Sequence, residues 1–111
     1  MEYQFITMEA VGRVLKLSLH RPSTNALNRA FGEELFRAFS DVERMEEVTV
    51  VVITSALEKA FIAGADIKEM AAMDLAESES FSKLLQEAYS ILPRLKKIVV
   101  AAINGQALGG G

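Results

Sequence analysis

The 111-residue sequence predicts an α/β fold, and three observations carry that reading. The apolar residues change period along the chain, recurring every second position in some stretches and at spacings of three and four in others. Residues 48–55 and 98–103 are runs of β-branched and small apolar residues without alternation, the composition of strands within a parallel sheet. An amphipathic stretch separates these runs, so the second half reads as a βαβ unit. Its right-handed crossover sets the two strands side by side and parallel.

The elements follow in the order ββαβαβ. Residues 3–8 alternate apolar with polar, and after the Val11-Gly12-Arg13 turn residues 14–20 repeat the alternation, giving a hairpin with one wet face. Arg21-Pro22-Ser23-Thr24-Asn25 is a loop, because Pro removes a donor and Ser, Thr and Asn offer the backbone local side-chain bonds. From Phe31, the residues Leu35, Ala38, Phe39, Val42 and Met45 draw one stripe on a helix that Asn28 can cap. The run 48–55 is the central strand, with both faces covered. A polar turn at Glu58-Lys59 leads into Phe61-Ile62-Ala63-Gly64-Ala65-Asp66, then a short helix over 67–73 capped by Asp66. A longer helix starts near Ser78, carries Phe81, Leu84, Leu85, Ala88, Ile91 and Leu92 on one face, and is ended or kinked by Pro93. The run 98–103 is a second buried strand, and Asn104-Gly105 is a turn pair.

Composition excludes several classes of function. There is no cysteine, so disulfides, thiolate zinc sites and thiol nucleophiles are absent, and the single His20 builds no metal cluster. Twelve basic against fifteen acidic side chains give a net charge of −3, the wrong sign for an electrostatically driven nucleic-acid binder. The acidic start, MEYQFITMEA, is unlike a secretory n-region, and no apolar run approaches the roughly 20 residues of a bilayer span. The expectation is a cytoplasmic protein with no nucleic-acid partner and no membrane partner.

Both βαβ strands run into small, glycine-bearing segments past their carboxyl ends, where open α/β sheets place ligands. A lone glycine there is plain turn geometry. Two such turns side by side can aim two backbone N–H donors at one oxygen, which is what an oxyanion hole requires. A phosphate-binding loop is disfavoured, since no Lys-Ser or Lys-Thr follows the glycines and no GxGxxG occurs.

The segment Phe61-Ile62-Ala63-Gly64-Ala65-Asp66-Ile67-Lys68-Glu69-Met70 resembles one signature of the enoyl-CoA hydratase (crotonase) family. Ala102-Ile103-Asn104-Gly105-Gln106-Ala107-Leu108-Gly109-Gly110-Gly111 resembles its second, and Arg21-Pro22 with Asn25-Ala26-Leu27-Asn28 is similar to its CoA-loop region. The resemblance implies a crotonase-like (ClpP/crotonase-type) spiral of ββα units, of which these residues form the N-terminal part with parallel central strands. It also implies that residues 1–111 correspond to the N-terminal half of the acyl-CoA-binding domain, both catalytic glutamates lying beyond Gly111.

By the same resemblance, the backbone N–H groups of Ala65 and Gly110 are the oxyanion-hole donors. They hold the thioester carbonyl of a 2-enoyl-CoA while a lyase of fatty-acyl or related acid metabolism adds water. The stretch Ala65, Asp66, Ile67 and Lys68 flanks the acyl and pantetheine arm, Ala63, Gly64 and Gly109 also bind the substrate, Asn25, Ala26 and Leu27 offer main-chain contacts to coenzyme A, and Lys68 is a candidate for a CoA phosphate. The resemblance implies no prosthetic group and no metal, coenzyme A being part of the substrate, and a homo-oligomer, a trimer or hexamer. Without the glutamates, these residues alone should not hydrate the substrate. The alternatives are another reaction of the family (isomerase, hydrolase, dehalogenase or decarboxylase) or a non-catalytic chain that binds CoA thioesters or a partner.

Other groups have plainer readings. Glu69 is surface and His20 structural, while Arg94, Lys96 and Lys97 form a solvated loop unless they meet a CoA phosphate or a neighbouring subunit. Met70 and Met73 either pack or line an acyl pocket.

Overall fold

Alternation along Val14–Leu19 decides which face of the first strands is wet. Leu15, Leu17 and Leu19 are buried while Lys16 is exposed. In the computed structural model, which describes residues 2–111, this segment is β2, paired antiparallel with β1 (Ile6–Val11) around Gly12. The first strand therefore lies three residues later than the expected 3–8. The residues before it are drawn onto the first helix, where the Phe5 N–H donates to the buried Glu34 carboxylate (2.6 Å) and the Tyr3 hydroxyl donates to Asp41.

That helix, α1 (Arg29–Glu43), is capped by Asn28, whose side chain accepts from the Phe31 N–H. Its stripe of Phe31, Leu35, Ala38, Phe39 and Val42 is buried on the sheet. Each large side chain there contributes at most about 1.5–3 kcal/mol.

The chain returns as β3 (Val50–Ser55), parallel to β2 on one side and to β5 (Ile98–Ala101) on the other, giving the order β1-β2-β3-β5. The adjacent parallel pair read from the two apolar runs is thus present, but its expected burial is not. On β3 only Val51, Ile53 and Ser55 are buried, and on the edge strand β5 Ile98 is 65 % and Val100 44 % exposed. β-Branched runs specify extended backbone, whereas burial depends on what lies opposite. Here helix α1 and the later helix α3 (Leu75–Arg94) join the face that carries Leu15, Leu17, Val51 and Ile53.

A second, two-stranded parallel sheet pairs β4 (Ala60–Ile62) with β6 (Gln106–Ala107), an element absent from the sequence-based reading. Gly105 permits it, since a Cβ there would lie 2.5 Å from the Ala60 nitrogen. Helix α2 (Ile67–Ala71) is capped by Asp66 as expected. Helix α3 (Leu75–Arg94) begins earlier than Ser78 because Asp74 caps it, accepting from the Glu77 N–H. Pro93 stands in its last turn and, offering no N–H to the preceding turn, is followed by the helix end within one residue. Lys97 is no solvated loop residue: its ammonium donates to the Met45 and Val48 carbonyls (2.7 Å each), tying α3's end to the start of β3.

Candidate functional site

The carboxyl end of the sheet is organised by the loop after β2. Asn25 has a left-handed backbone (φ 55°), which asparagine tolerates better than most residues, and its side chain is fully buried. Its carboxamide oxygen accepts from the Arg21 N–H (2.6 Å), and its amide nitrogen donates to the Ser55 hydroxyl and the Phe61 carbonyl (2.8 Å each). One side chain thus ties the loop to the ends of β3 and β4. The main chains then run alongside each other: Ala63 N–H donates to Thr24 O, Leu27 N–H to Gly64 O, and Asp66 N–H to Leu27 O.

These bonds form a parallel bridge between Leu27 and Ala65. In a parallel bridge centred on Leu27, the groups of Gly64 and Asp66 face the loop while Ala65's own N–H and C=O face away. The second turn packs against the first. A Cβ on Gly109 would lie 3.6 Å from the Gly64 Cα, and both glycines have positive φ (52° at Gly109 and 108° at Gly64), a conformation that would strain other residues. The next residue in each turn, Ala65 or Gly110, has a backbone N–H with no protein acceptor among the described residues.

Beside the first turn lies an open groove of about 470 Å³, lined by Arg21, Ser23, Ala26, Ala65, Asp66 and Lys68 among others. Arg21 bonds the Ala26 carbonyl (2.7 Å) and pairs with Asp66 (3.1 Å). Asp66 also accepts from the Glu69 N–H; that bond first, and Arg21 after it, hold its carboxyl below its usual range. Lys68 is exposed and has no carboxylate partner among the described residues, so its charge faces the groove unneutralised. A second cavity, of about 200 Å³ and also open to solvent, is lined by Leu35, Phe39, Ile53, Tyr89 and Gly110 among others. Burial raises the pKa of the Tyr89 phenol.

The residues singled out in the sequence divide into three sets. Ala26, Ala63, Ala65, Asp66, Ile67 and Lys68 line the groove. Gly64 and Gly109 shape the turns, and Gly110 lines the second cavity. Asn25 and Leu27, expected to touch a ligand, are instead buried at 0 % and 1 % exposure, and both Leu27 main-chain groups are already bonded. They hold the site together from behind. Met70 is 44 % exposed, Met73 packs on the core, and neither lines the cavities described. His20 is exposed, with its N–H bonded to Phe5 O. Two residues were missed. Arg21 stood in a recognised motif without a role, and Tyr89 flanks an aliphatic helical stripe in which its hydroxyl is the one polar signal. Among the described residues no three histidine or carboxylate side chains gather to hold a metal, and no helix is long and apolar enough to cross a membrane.

Residues 9–111 match the enoyl-CoA hydratase/isomerase family. Over 112 aligned residues, the whole of this chain is 40 % identical to a short-chain-enoyl-CoA hydratase of Clostridium acetobutylicum and 36 % identical to a crotonyl-CoA hydratase of Syntrophomonas wolfei. It spans 43 % of the length of each relative. The crystal structure of an enoyl-CoA hydratase from Bacillus anthracis superimposes with a TM-score of 0.91 at 37 % identity, covering 97 % of this chain and 43 % of the other. One from Geobacillus kaustophilus gives 0.94 at 24 % identity, covering 99 % and 42 %, a likeness of fold.

Proposed function

The chain belongs to the enoyl-CoA hydratase/isomerase family, and on that premise we propose that it forms the thioester-binding and oxyanion-stabilising part of an enoyl-CoA hydratase. One observation carries the reading: two backbone donors, Ala65 N–H and Gly110 N–H, stand unpaired on turns that touch through Gly64 and Gly109.

A thioester oxygen accepting from both would be polarised in the bound substrate. As water adds to C3 of a 2-enoyl thioester, the electron pair of the double bond moves through C2 onto that oxygen, and the donors stabilise the enolate before C2 takes a proton. Donors of this kind are each worth about two to three decades of rate because they need no reorganisation as charge develops. The groove places Lys68 and Arg21 beside the first turn, where the anionic arm of coenzyme A would leave the thioester. Proton transfer has no candidate among these side chains. Asp66 is spent on a helix cap and Arg21, and Glu69 accepts from the Arg29 N–H (2.8 Å). On this reading the residues described here bind and polarise the thioester.

The test is vibrational. Butyryl-CoA labelled with carbon-13 at the carbonyl should show its thioester stretch shifted to lower frequency on binding. A bound thioester with the stretch it has in water would defeat the reading.

A further inference from the structure

The turn pair Asn104-Gly105 has no part in the chemistry just described, yet it marks the point where the chain leaves one sheet for the other. Along β5 the ladder onto β3 engages every second residue: the Ile98 N–H donates to Thr49 O (2.9 Å) and the Ala102 N–H to Ile53 O (2.8 Å). Continued in the same register, it would bring the Asn104 N–H to Ser55 O. The Asn104 side chain takes that place, its amide nitrogen donating to the Ser55 carbonyl at 2.9 Å. The main chain is thereby released from β3. Gly105 turns it against Lys59 and Ala60, the Gln106 N–H donates to Lys59 O (3.2 Å) and the Leu108 N–H to Ile62 O (3.0 Å), and β6 runs on into the turn that carries the Gly110 donor. Ser55 also anchors the first turn. It is buried, and its hydroxyl accepts from the Asn25 amide nitrogen (2.8 Å) and the Leu57 N–H (3.0 Å). Two carboxamides, one from the loop after β2 and one from the end of β5, thus meet on a single residue at the carboxyl end of β3.

We propose that Asn104 is a positioning residue for the second oxyanion donor. By setting its side chain in place of its backbone N–H on Ser55, it fixes where β6 starts on β4, and so where the Gly110 N–H stands relative to the Ala65 N–H. The inference rests on the thioester reading above, because the two donors need a common frame only if they share one oxygen. A hydrogen bond weakens steeply as it bends, and a catalytic constellation works only within about 0.5 Å of its productive geometry. A strand whose start is loose delivers the donor at its far end outside that tolerance. Aspartate would fill the same space as Asn104 with nothing to donate, and alanine would leave the Ser55 carbonyl without this partner.

Amide-proton shifts of the isotope-labelled full chain, recorded with and without saturating butyryl-CoA, test this. In the parent chain the Ala65 and Gly110 amide protons should both move downfield as they donate to the thioester oxygen. In Asn104→Ala the Gly110 proton should lose most of that ligand-induced shift while Ala65 keeps its own. Ser55→Ala, which removes the hydroxyl but leaves the carbonyl that Asn104 holds, should keep the Gly110 shift. The same spectra report folding, and Asn104→Asp supplies a second variant of nearly unchanged shape. If both parent amides shift and Gly110 responds as fully in the Asn104 variants, the positioning role is wrong while the thioester reading stands. A Gly110 response lost equally in Ser55→Ala, or lost together with that of Ala65, assigns Asn104 to general stability and overturns the proposal, as does unfolding of both Asn104 variants. If butyryl-CoA leaves the two parent amides unmoved, the thioester reading fails and the proposal with it.

Discussion

The two turns that present the unpaired donors are held by different physics. The Ala65 turn is strapped: three main-chain hydrogen bonds join it to residues 24–27, and the Asn25 side chain adds bonds to Ser55 and Phe61. The Gly110 turn has fewer straps, Leu108 N–H to Ile62 O and Gly111 N–H to Leu108 O, and is held largely by close approach. A methyl group on Gly110 would come within 2.8 Å of Leu27 Cδ1, and one on Gly111 would collide with the Ile62 carbonyl. A strapped turn loses position when a partner is deleted, and a wedged turn loses it when an atom is added.

The largest expected effect comes from adding an atom to the wedged turn. In Gly110→Ala the new methyl meets Leu27 and the Tyr89 hydroxyl, and the turn shifts until the donor misses the oxyanion. On the proposed reading, hydration of an enoyl-CoA should fall about 10²- to 10³-fold, while stability changes by only about 1–2 kcal/mol because the obstacle is a flexible side chain. Steady-state kinetics with thermal melting of the same preparation check the split. A full loss of folding would show the wedge to be a core feature instead.

Deleting the strap should reverse that pattern. Asn25→Ala leaves the Ser55 hydroxyl, the Phe61 carbonyl and the Arg21 N–H without their partner in a buried setting, and places alanine at positive φ. The cost is about 3 kcal/mol, a fall in Tm on the order of 10 °C. Urea and thermal unfolding of Asn25→Ala against Gly110→Ala rank the two turns by stability. The comparison breaks if Gly110→Ala is the less stable protein.

The smallest effect belongs to Asp66, at the far end of the strapped turn. Its folded-state pKa is lowered by the Glu69 N–H bond and by Arg21, so the stability it contributes is fully present above the usual carboxylate value of 3.8 and disappears as pH falls through the lower folded value. Asp66→Asn should therefore unfold at nearly the same urea concentration as the parent at acid pH below that window and slightly earlier at neutral pH. Urea midpoints measured across the window check the sign; an equal deficit at every pH would assign the loss to shape, not charge.

Nearest-neighbour physics made much of this molecule readable in one dimension. The stripes of α1 and α3, the caps at Asn28 and Asp66 and the extended runs of β3 and β5 depend on residues within about four positions of each other, so their spacing suffices. The glycine turns were legible as motifs for the same reason. What escaped depends on partners far apart in sequence. The bonds from Asn25 reach 30 and 36 residues along the chain, which is why a residue read as a ligand contact is a buried strap. The Arg21–Asp66 pair spans 45 residues, and β6 exists because Gly105 lets it approach Ala60. Composition likewise marks residues 98–103 as apolar but says nothing of which layer covers them, and the strand lies at the sheet edge with Ile98 and Val100 open. Propensity and capping act through the chain's own bonds and are written in its order. Burial, ion pairing and the meeting of the two donor turns act through space, and only the packed arrangement decides them.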